Sequence, residues 1–359
     1  MKAALISLGS ISSQWTLEAM RTYFEEVADI LLKNIEINIG VKSAEVLYEG
    51  KPLPSFDCIY AKGSFRYATV LRALTNASGK ESYMPIASES FTLGHDKLLS
   101  HLAMQLHRVP MPTTYLSSSI QGAKKILAKV NYPIIMKFPQ GTQGKGVMYA
   151  ESMASASSML DALTALRQPF LIQEYIETGG VDVRAIVVGD KVVAAMKRKA
   201  VVGEKRANIH AGGVGEAYQP DFYTKKIAVE TARAIGADIC AVDMLEGPKG
   251  PLVIEANLSP GLQGITKATG INVADKIARF LFEKAQAFKE KGTKKETHKI
   301  MEDLGIENMQ KKIEEIITHL DFRGERILLP KLATNATQLT DKDEIILKLG
   351  KGRITIEKA

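Results

Sequence analysis

The chain has 359 residues, enough for two or three domains of ordinary size, with 45% hydrophobic and 24% charged residues and a mean hydropathy of -0.04. A mini-protein and global disorder are excluded, and with only Cys58 and Cys240 so is a disulfide framework or a CxxC metal site, which points to a reducing cytoplasm. The formal charge of +7 is spread out, +5 of it before residue 285, so it favours anionic ligands in general and lends nucleic-acid binding little support.

Lys2-Ala-Ala-Leu-Ile-Ser-Leu8 reads as a buried first strand, too short for the apolar core of a secretion signal. No apolar run approaches the ~20 residues of a membrane-spanning helix, so a soluble protein is expected. Leu17–Lys33 reads as an amphipathic helix, Asn34–Ile39 as a second strand and, after the Gly50–Pro54 turn, Phe56–Tyr60 as a third. Alternating strand and helix predict a parallel α/β domain over residues 1–95. Asp96 caps a helix, Lys97–His107, that stops before Val109-Pro-Met-Pro112. An apolar run (Tyr132–Lys137), a glycine loop, a second run (Val147–Ala150), a helix (Ser155–Arg167) and a strand (Phe170–Ile176) complete a small α+β domain, 96–180. The third domain, 181–288, holds strands Arg184–Val188 and Lys191–Lys197 about the Gly189-Asp190 turn, helix Thr224–Gly236, strands Ala237–Leu245 and Leu252–Asn257, and helix Val273–Phe288. Residues 289–299 are a charged linker or a solvated helix end. A helix-like segment to Leu320 and a β-rich extension fill 300–359.

Oxygen-bearing side chains gather in the third domain. Glu255 and Asn257 lie two apart on a strand and share its face, and a hairpin about Glu246–Pro251 brings Asp243 opposite residue 254 or 255. Two carboxylates and an amide carbonyl suit a hard cation such as Mg²⁺, which leaves its other positions to water and phosphate. The alternative is a solvated strand face. Apolar neighbours such as Val242, Met244 and Val253 weigh against it, because buried acids need a compensating cation. Lys137 and the loop Gly141-Thr-Gln-Gly144-Lys-Gly146 read as a phosphate cradle or as a plain hairpin turn; the spacing is not that of a Walker P-loop. Lys197-Arg198-Lys199 and Arg206-Ala-Asn208-Ile-His210, with Gly212-Gly213, read as a solvated face or as a binding loop whose arginines pair with carboxylate or phosphate. His95, His101 and His107, six apart, fall on different sides of a helix as surface or packing residues, and Trp15 reads as packing. No nucleophile elbow or activated cysteine is present.

In this order, Lys97, Lys137, the Gly141–Gly146 loop, Glu174-Tyr175, Asp182, Arg206-Ala-Asn208 and Asp243…Glu255-Ala-Asn257 resemble the ATP-grasp superfamily. Gln140-Gly-Thr-Gln-Gly144, Gln173-Glu-Tyr-Ile176, Val187-Val-Gly-Asp190, Asn257-Leu-Ser-Pro-Gly261 and Thr269-Gly-Ile271 resemble the RimK-like family of amino-acid ligases within it, over about residues 1–284. The resemblance implies an ATP-grasp fold, α/β and α+β, with an N-terminal Rossmann-like pre-ATP-grasp domain, a lid subdomain, a metal-bearing core and a small β-rich C-terminal extension. It implies ATP between two subdomains: Lys97, Lys137, Gly141, Gly144 and Gly146 at the phosphates, Glu174 and Tyr175 at adenine, Asp182 at the ribose. Arg206 and Arg198 are then the catalytic candidates, Arg198 and Asn208 hold substrate, and Asp243, Glu255 and Asn257 hold two Mg²⁺ or Mn²⁺ ions. The implied reaction is an ATP-driven joining of a carboxylate to an amine through an acyl phosphate. In the family the amine is that of glutamate, and the acceptor is a protein C-terminus, a pterin or deazaflavin cofactor, or a carrier protein. Rival readings are a ligase for another amine, and a nucleotide-binding regulator, against which the intact metal set weighs.

The tail, with Arg326–Pro330, Glu344–Leu349 and Arg353–Glu357 about a Gly350-Lys-Gly352 turn, resembles the swapped hairpins of AbrB-type DNA-binding proteins, or else is a β cap or dimerisation module. Ile327, Leu329, Ile345, Leu347, Ile354 and Ile356 alternate into one apolar face that a second copy of the chain would cover. A chain truncated after Lys289 should keep ATP binding and show a smaller assembly by light scattering. An unchanged assembly, or lost nucleotide binding, would contradict that division of labour.

Overall fold

A computed structural model describes residues 1–359 except 42, 142–145, 201–213, 304–320, 325, 329–333, 335, 336, 338, 341, 342, 351, 352 and 359; for 292–303 and parts of the tail strands it describes the backbone alone. Two compact units result, Met1–Lys294 and Lys295–Ala359.

The first unit opens with β1 (Lys2–Ser7), whose residues from Ala3 onward are all buried. Helix α1 (Ile11–Met20) begins where the Ser10 hydroxyl accepts the Ser13 N–H, and it ends at Met20 rather than running on to Lys33. Residues 26–31 instead form β2 (Glu26–Leu31), paired in parallel with β1 from Lys2↔Glu26 to Ser7↔Leu31. A buried strand needs partners for its N–H and C=O groups on both sides, and that demand overrides the local helical pattern. Strand β3 (Ile35–Ile39) does not join this layer. It pairs antiparallel with β4 (Ala44–Tyr48), which pairs with β5 (Lys51–Pro52). The other flank of β1 is taken by β6 (Cys58–Ala61), parallel, giving the order β2-β1-β6, and α2 (Ala68–Ser78) follows. Trp15 does not pack inward as expected; it is 40% exposed on α1.

After the short α3 (Ser90–Leu93), helix α4 (Lys97–Leu106) starts at Asp96, whose Oδ1 accepts the N–H groups of Leu98 and Leu99. A small antiparallel sheet follows, ordered β7-β10-β8-β9. Its strands are β7 (Thr114–Tyr115), β8 (Ile134–Lys137), β9 (Val147–Ala150) and β10 (Leu171–Glu174), with α5 (Ile120–Leu127) and α6 (Met153–Ala165) between them in sequence. Leu127, Met136, Leu160 and Ile172 give this sheet a core of its own. A five-stranded antiparallel sheet, β13-β12-β11-β14-β15, completes the unit: β11 (Val181–Val188), β12 (Lys191–Lys199), β13 (Val214–Ala217), β14 (Ile239–Gly247) and β15 (Gly250–Asn257). It shares a single core with the N-terminal layer and with α7 (Phe222–Ile235), which buries Ile227, Ala228, Ala232 and Ile235. Helix α8 (Gln263–Thr269) precedes α9 (Val273–Asp303), which continues as helix through residues 289–299.

In the second unit β16 (Asp321–Arg323) pairs with β17 (Arg326–Leu328), and β18 (Ile345–Gly350) with β19 (Arg353–Lys358), both antiparallel. Ile345, Ile346, Leu347 and Ile354 are exposed. The segment expected as helix up to Leu320 lies, beyond Asp303, outside the described residues. Among the described residues no helix is long and apolar enough to cross a membrane.

Gly236 ends α7 in the left-handed region at φ 75°, and its carbonyl accepts both the Ala87 N–H and the Ser90 hydroxyl. A Cβ there would stand 2.9 Å from the Ser90 oxygen. Gly236→Ala should therefore cost about 1 kcal/mol or more, read as a lower urea midpoint at unchanged slope. An unchanged midpoint would show that this junction tolerates a side chain.

Candidate active site

The register of the five-stranded sheet lines up a row of charges. Asp182 on β11 stands opposite Arg198 on β12, Arg184 on β11 opposite Asp243 on β14, and Asp243 opposite Glu255 on β15. Strand residues two apart share a face, so Asp182 and Arg184 join the same surface. Arg198 grips Asp182 with two bonds of 2.6 and 2.7 Å and reaches Asp243 at 2.9 Å. Arg184 grips Asp243 with two of 2.8 and 2.7 Å. Burial alone would raise the Asp243 carboxyl, but the two arginines hold it well below the usual range. Asp182 has Arg198 as its bidentate partner, and burial pushes its carboxyl up. Arg198, read from sequence as part of a solvated face or a binding loop, is only 7% exposed.

Asn257 projects on the same side as Glu255, and its Oδ1 accepts the Ser259 N–H at 2.9 Å. Glu255 makes no hydrogen bond or ion pair among the described residues although it is half-buried. Its carboxyl is raised by burial and by Asp243, and is drawn down by Lys97, Arg184 and Lys137. A carboxylate without a partner beside a second carboxylate and an amide oxygen is a hard-oxygen donor set, and it fits Mg²⁺.

Lys137 ends β8 and Lys97 begins α4. Lys137 Nζ donates to Gln173 Oε1 at 2.9 Å; the Gln173 amide nitrogen donates to Thr114 Oγ1 at 2.7 Å and to His101 Nε2 at 3.1 Å. His101 Nδ1 donates to the Lys97 carbonyl at 2.5 Å, and because Nε2 accepts from the Gln173 amide the ring is neutral. Lys97 is tied to the neighbouring loop at both ends, its N–H to the Pro139 carbonyl and its Nζ to the Gly141 carbonyl at 3.0 Å. Burial, with Lys97 close by, pushes the Lys137 ammonium down to about 8. The glycine loop closes where Phe138 N–H meets the Gly146 carbonyl. Gly146, at φ 76°, has no room for a Cβ against the Phe138 ring.

Glu174 and Tyr175 leave the end of β10, where Glu174 and Thr113 exchange hydrogen bonds and the Tyr175 ring meets Tyr149 edge-on at 5.1 Å. Gly179 and Gly180, at φ 63° and 73°, then turn the chain from the small sheet into β11. Gly144, Arg206 and Asn208 lie outside the described residues.

Three residues that carried no role of their own at the level of sequence join this network: Arg184, Gln173 and His101. Of the two readings of His101, surface or packing, the structure gives the buried one: it is 5% exposed and hydrogen-bonded to Lys97 and Gln173. The alternation Asp182-Val-Arg184 was a readable sign of a shared face; nothing local marked His101 or Gln173 as partners.

Residues 94–281 match the family model of the RimK-like ATP-grasp domain. A probable alpha-L-glutamate ligase of Vibrio cholerae is 35% identical over 289 residues, which span 78% of this chain and 95% of that protein. The ribosomal protein bS6–L-glutamate ligase of Escherichia coli is 35% identical over 268 residues, 73% of this chain and 87% of that one. Among solved structures, an ATP-grasp protein with a RimK domain from Sphaerobacter thermophilus superposes with a TM-score of 0.61 at 20% identity, covering 78% and 99% of the two chains. The ATP-grasp ligase PsnB, complexed with a minimal precursor, Mg and ADP, does so with 0.62 at 16%, covering 79% and 98%.

Burial, reinforced by Lys137, pushes His101 down to about 4 from an ordinary value near 6.5. Folding then binds fewer protons than the unfolded chain between those values, so the stability that neutral His101 contributes is complete above about pH 6.5 and is withdrawn as pH falls toward 4. Thermal midpoints of the wild type and His101→Gln, compared at about pH 7.5 and about pH 5, should draw together at the lower pH. A constant gap would show that the ring titrates alike in both states.

Proposed function

The chain belongs to the RimK-like ATP-grasp family and is an ATP-dependent carboxylate–amine ligase, and we propose that it adds L-glutamate to a carboxylate of an acceptor protein through an acyl phosphate. The observation that carries this reading is the unpartnered Glu255 carboxylate, which feels both Lys97 and Lys137 while standing opposite Asp243. Cations for a polyphosphate and anions for its counter-ion meet there, on elements of two different sheets and α4.

In this reading Lys97, Lys137 and the backbone of Gly141, Gly144 and Gly146 hold the phosphates, Glu174 and Tyr175 the adenine, and Asp182 the ribose. Asp243, Glu255 and Asn257 hold one or two Mg²⁺ or Mn²⁺ ions, which when bound neutralise the polyphosphate and polarise the γ-phosphoryl group. An oxygen of the acceptor carboxylate attacks the γ-phosphorus, the bond to the bridging oxygen breaks, and ADP leaves with that electron pair. Arg206 and Arg198 steady the negative charge that spreads over the transferring group. The glutamate amine then attacks the acyl carbon, phosphate departs with the carbon–oxygen electrons, and the amine proton passes to solvent. Asn208 and Arg198 orient the substrates for this second step. A covalent enzyme nucleophile has no part in it. Burial pushes both thiols up, Cys240 to about 12, far from the thiolate chemistry of a nucleophile.

The choice of glutamate is supported by the names of the Vibrio and Escherichia relatives, and that of a protein acceptor by the bS6 ligase and the precursor-bound PsnB. Glu255→Ala should lower ADP formation on the order of a hundredfold or more while circular dichroism and thermal midpoint stay close to wild type. The wild type, given ATP, Mg²⁺ and glutamate in a cell extract, should add whole glutamyl residues to an acceptor, read by mass spectrometry. Wild-type turnover in the variant would remove Glu255 from the chemistry.

A further inference from the structure

Of the fully charged side chains buried in the first unit, Asp182, Arg198, Asp243 and Lys137 are all hydrogen-bonded within the network above. Lys62 is the exception. It is 4% exposed, and among the described residues its ammonium has no hydrogen bond or ion pair, only the Tyr60 ring at 5.7 Å. Burial lowers it to about 8. Leaving a cation dry and unpaired costs stability, and among the described residues no hydrogen bond or ion pair offsets that cost. The position of Lys62 says what does.

Lys62 is the first residue past β6, and its N–H donates to the Ile6 carbonyl of β1 at 2.9 Å. The chain lays β2 on one side of β1 and then crosses to lay β6 on the other. The point where strand order reverses thus lies between β1 and β6, and in open parallel sheets ligands enter the crevice at the carboxyl ends of the strands there. The loop that leaves β15 at Asn257 reaches this same edge, because the Leu262 N–H donates to the Ser12 hydroxyl in the first turn of α1 at 2.8 Å. A ligand held at the edge is thereby set beside the strand that carries Glu255 and Asn257.

We propose that Lys62 is the anchor of a carboxylate-binding site at the carboxyl edge of the N-terminal sheet, and that it holds a carboxylate of one of the enzyme's non-nucleotide substrates. The choice of carboxylate over phosphate rests on the ligase reading, in which the phosphates lie at Lys97 and Lys137 and the remaining substrates all carry carboxylates. A single compact ammonium also suits a monoanion. Two sources share this chemistry, the incoming glutamate and the acceptor's chain end.

The test uses the full chain and the variants Lys62→Met and Lys62→Arg, with L-glutamate and a synthetic peptide ending in glutamate as separately varied substrates. Lys62→Met, relieved of an unpaired charge, should melt higher than wild type without ligand. It should keep its ATP KM and raise the KM for one substrate roughly ten- to hundredfold, the loss expected for one charge-assisted bond. Lys62→Arg should recover most of that loss. A raised glutamate KM assigns the site to the amino acid, and a raised peptide KM to the acceptor. If both KM values stay at wild type, or if Lys62→Met melts lower with both unchanged, Lys62 is structural and the proposal falls. Should the wild type form no ADP with either substrate, the ligase reading fails separately. Glutarate must then still raise the thermal midpoint of the wild type and not of Lys62→Met; equal shifts overturn the site.

Discussion

Strand register governs everything that the active site does. Side chains on a sheet alternate with period two, so a slip of one residue between β11 and β14 would send Arg184 and Asp243 to opposite faces and part this ion pair. The decisive detail is a bulge. Met244 pairs with Val253 but Asp243 pairs with Glu255, which leaves Ile254 over. Without that extra residue Asp243 would face Ile254, and Glu255 would point to the other side of the sheet. One inserted isoleucine therefore brings the two carboxylates together.

The same bulge marks how far the sequence could be read. Hairpin geometry left the partner of Asp243 open between residues 254 and 255, because a bulge is set by three-dimensional packing and has no fixed local signature. Helices with polar caps were legible, as at Asp96 for α4, and so was the glycine stop at Gly236 for α7. The stretch after Met20 was not. Its apolar spacing fits a helix, and only the unpaired edge of β1, distant in sequence but adjacent in the fold, makes it a strand. Arg184, Gln173 and His101 were missed for a related reason: each acts through a partner 36 to 72 positions away.

Electrostatics ties these parts together. Three cations and three anions, Lys97, Lys137 and Arg184 with Asp182, Asp243 and Glu255, sit within mutual influence, and Arg198 bridges two of the acids. All of the acids except Glu255 are bonded through both oxygens to arginine, each arginine giving its Nε and one Nη to the sheet's own acids and keeping its other Nη. The lysines also have donors to spare. Lys137 has one bond to Gln173 and Lys97 one to the Gly141 carbonyl, out of three ammonium hydrogens each.

Those lysines stand on separately packed bodies. Met104 on the helix of Lys97 is buried in the large core, whereas Met136, beside Lys137, belongs to the small one, and consecutive glycines at 179 and 180 join the small sheet to β11. The spacing of the two ammonium groups is therefore not fixed by covalent structure; it is set by hydrogen bonds between the two bodies, from the Lys97 N–H to the Pro139 carbonyl, from Lys97 Nζ to the Gly141 carbonyl, and through the Gln173 amide that joins Lys137 to His101. Any ligand that spans both lysines acts on that spacing as a force acts on a spring, and by reciprocity whatever holds the small sheet at the matching distance tightens the grip on the ligand.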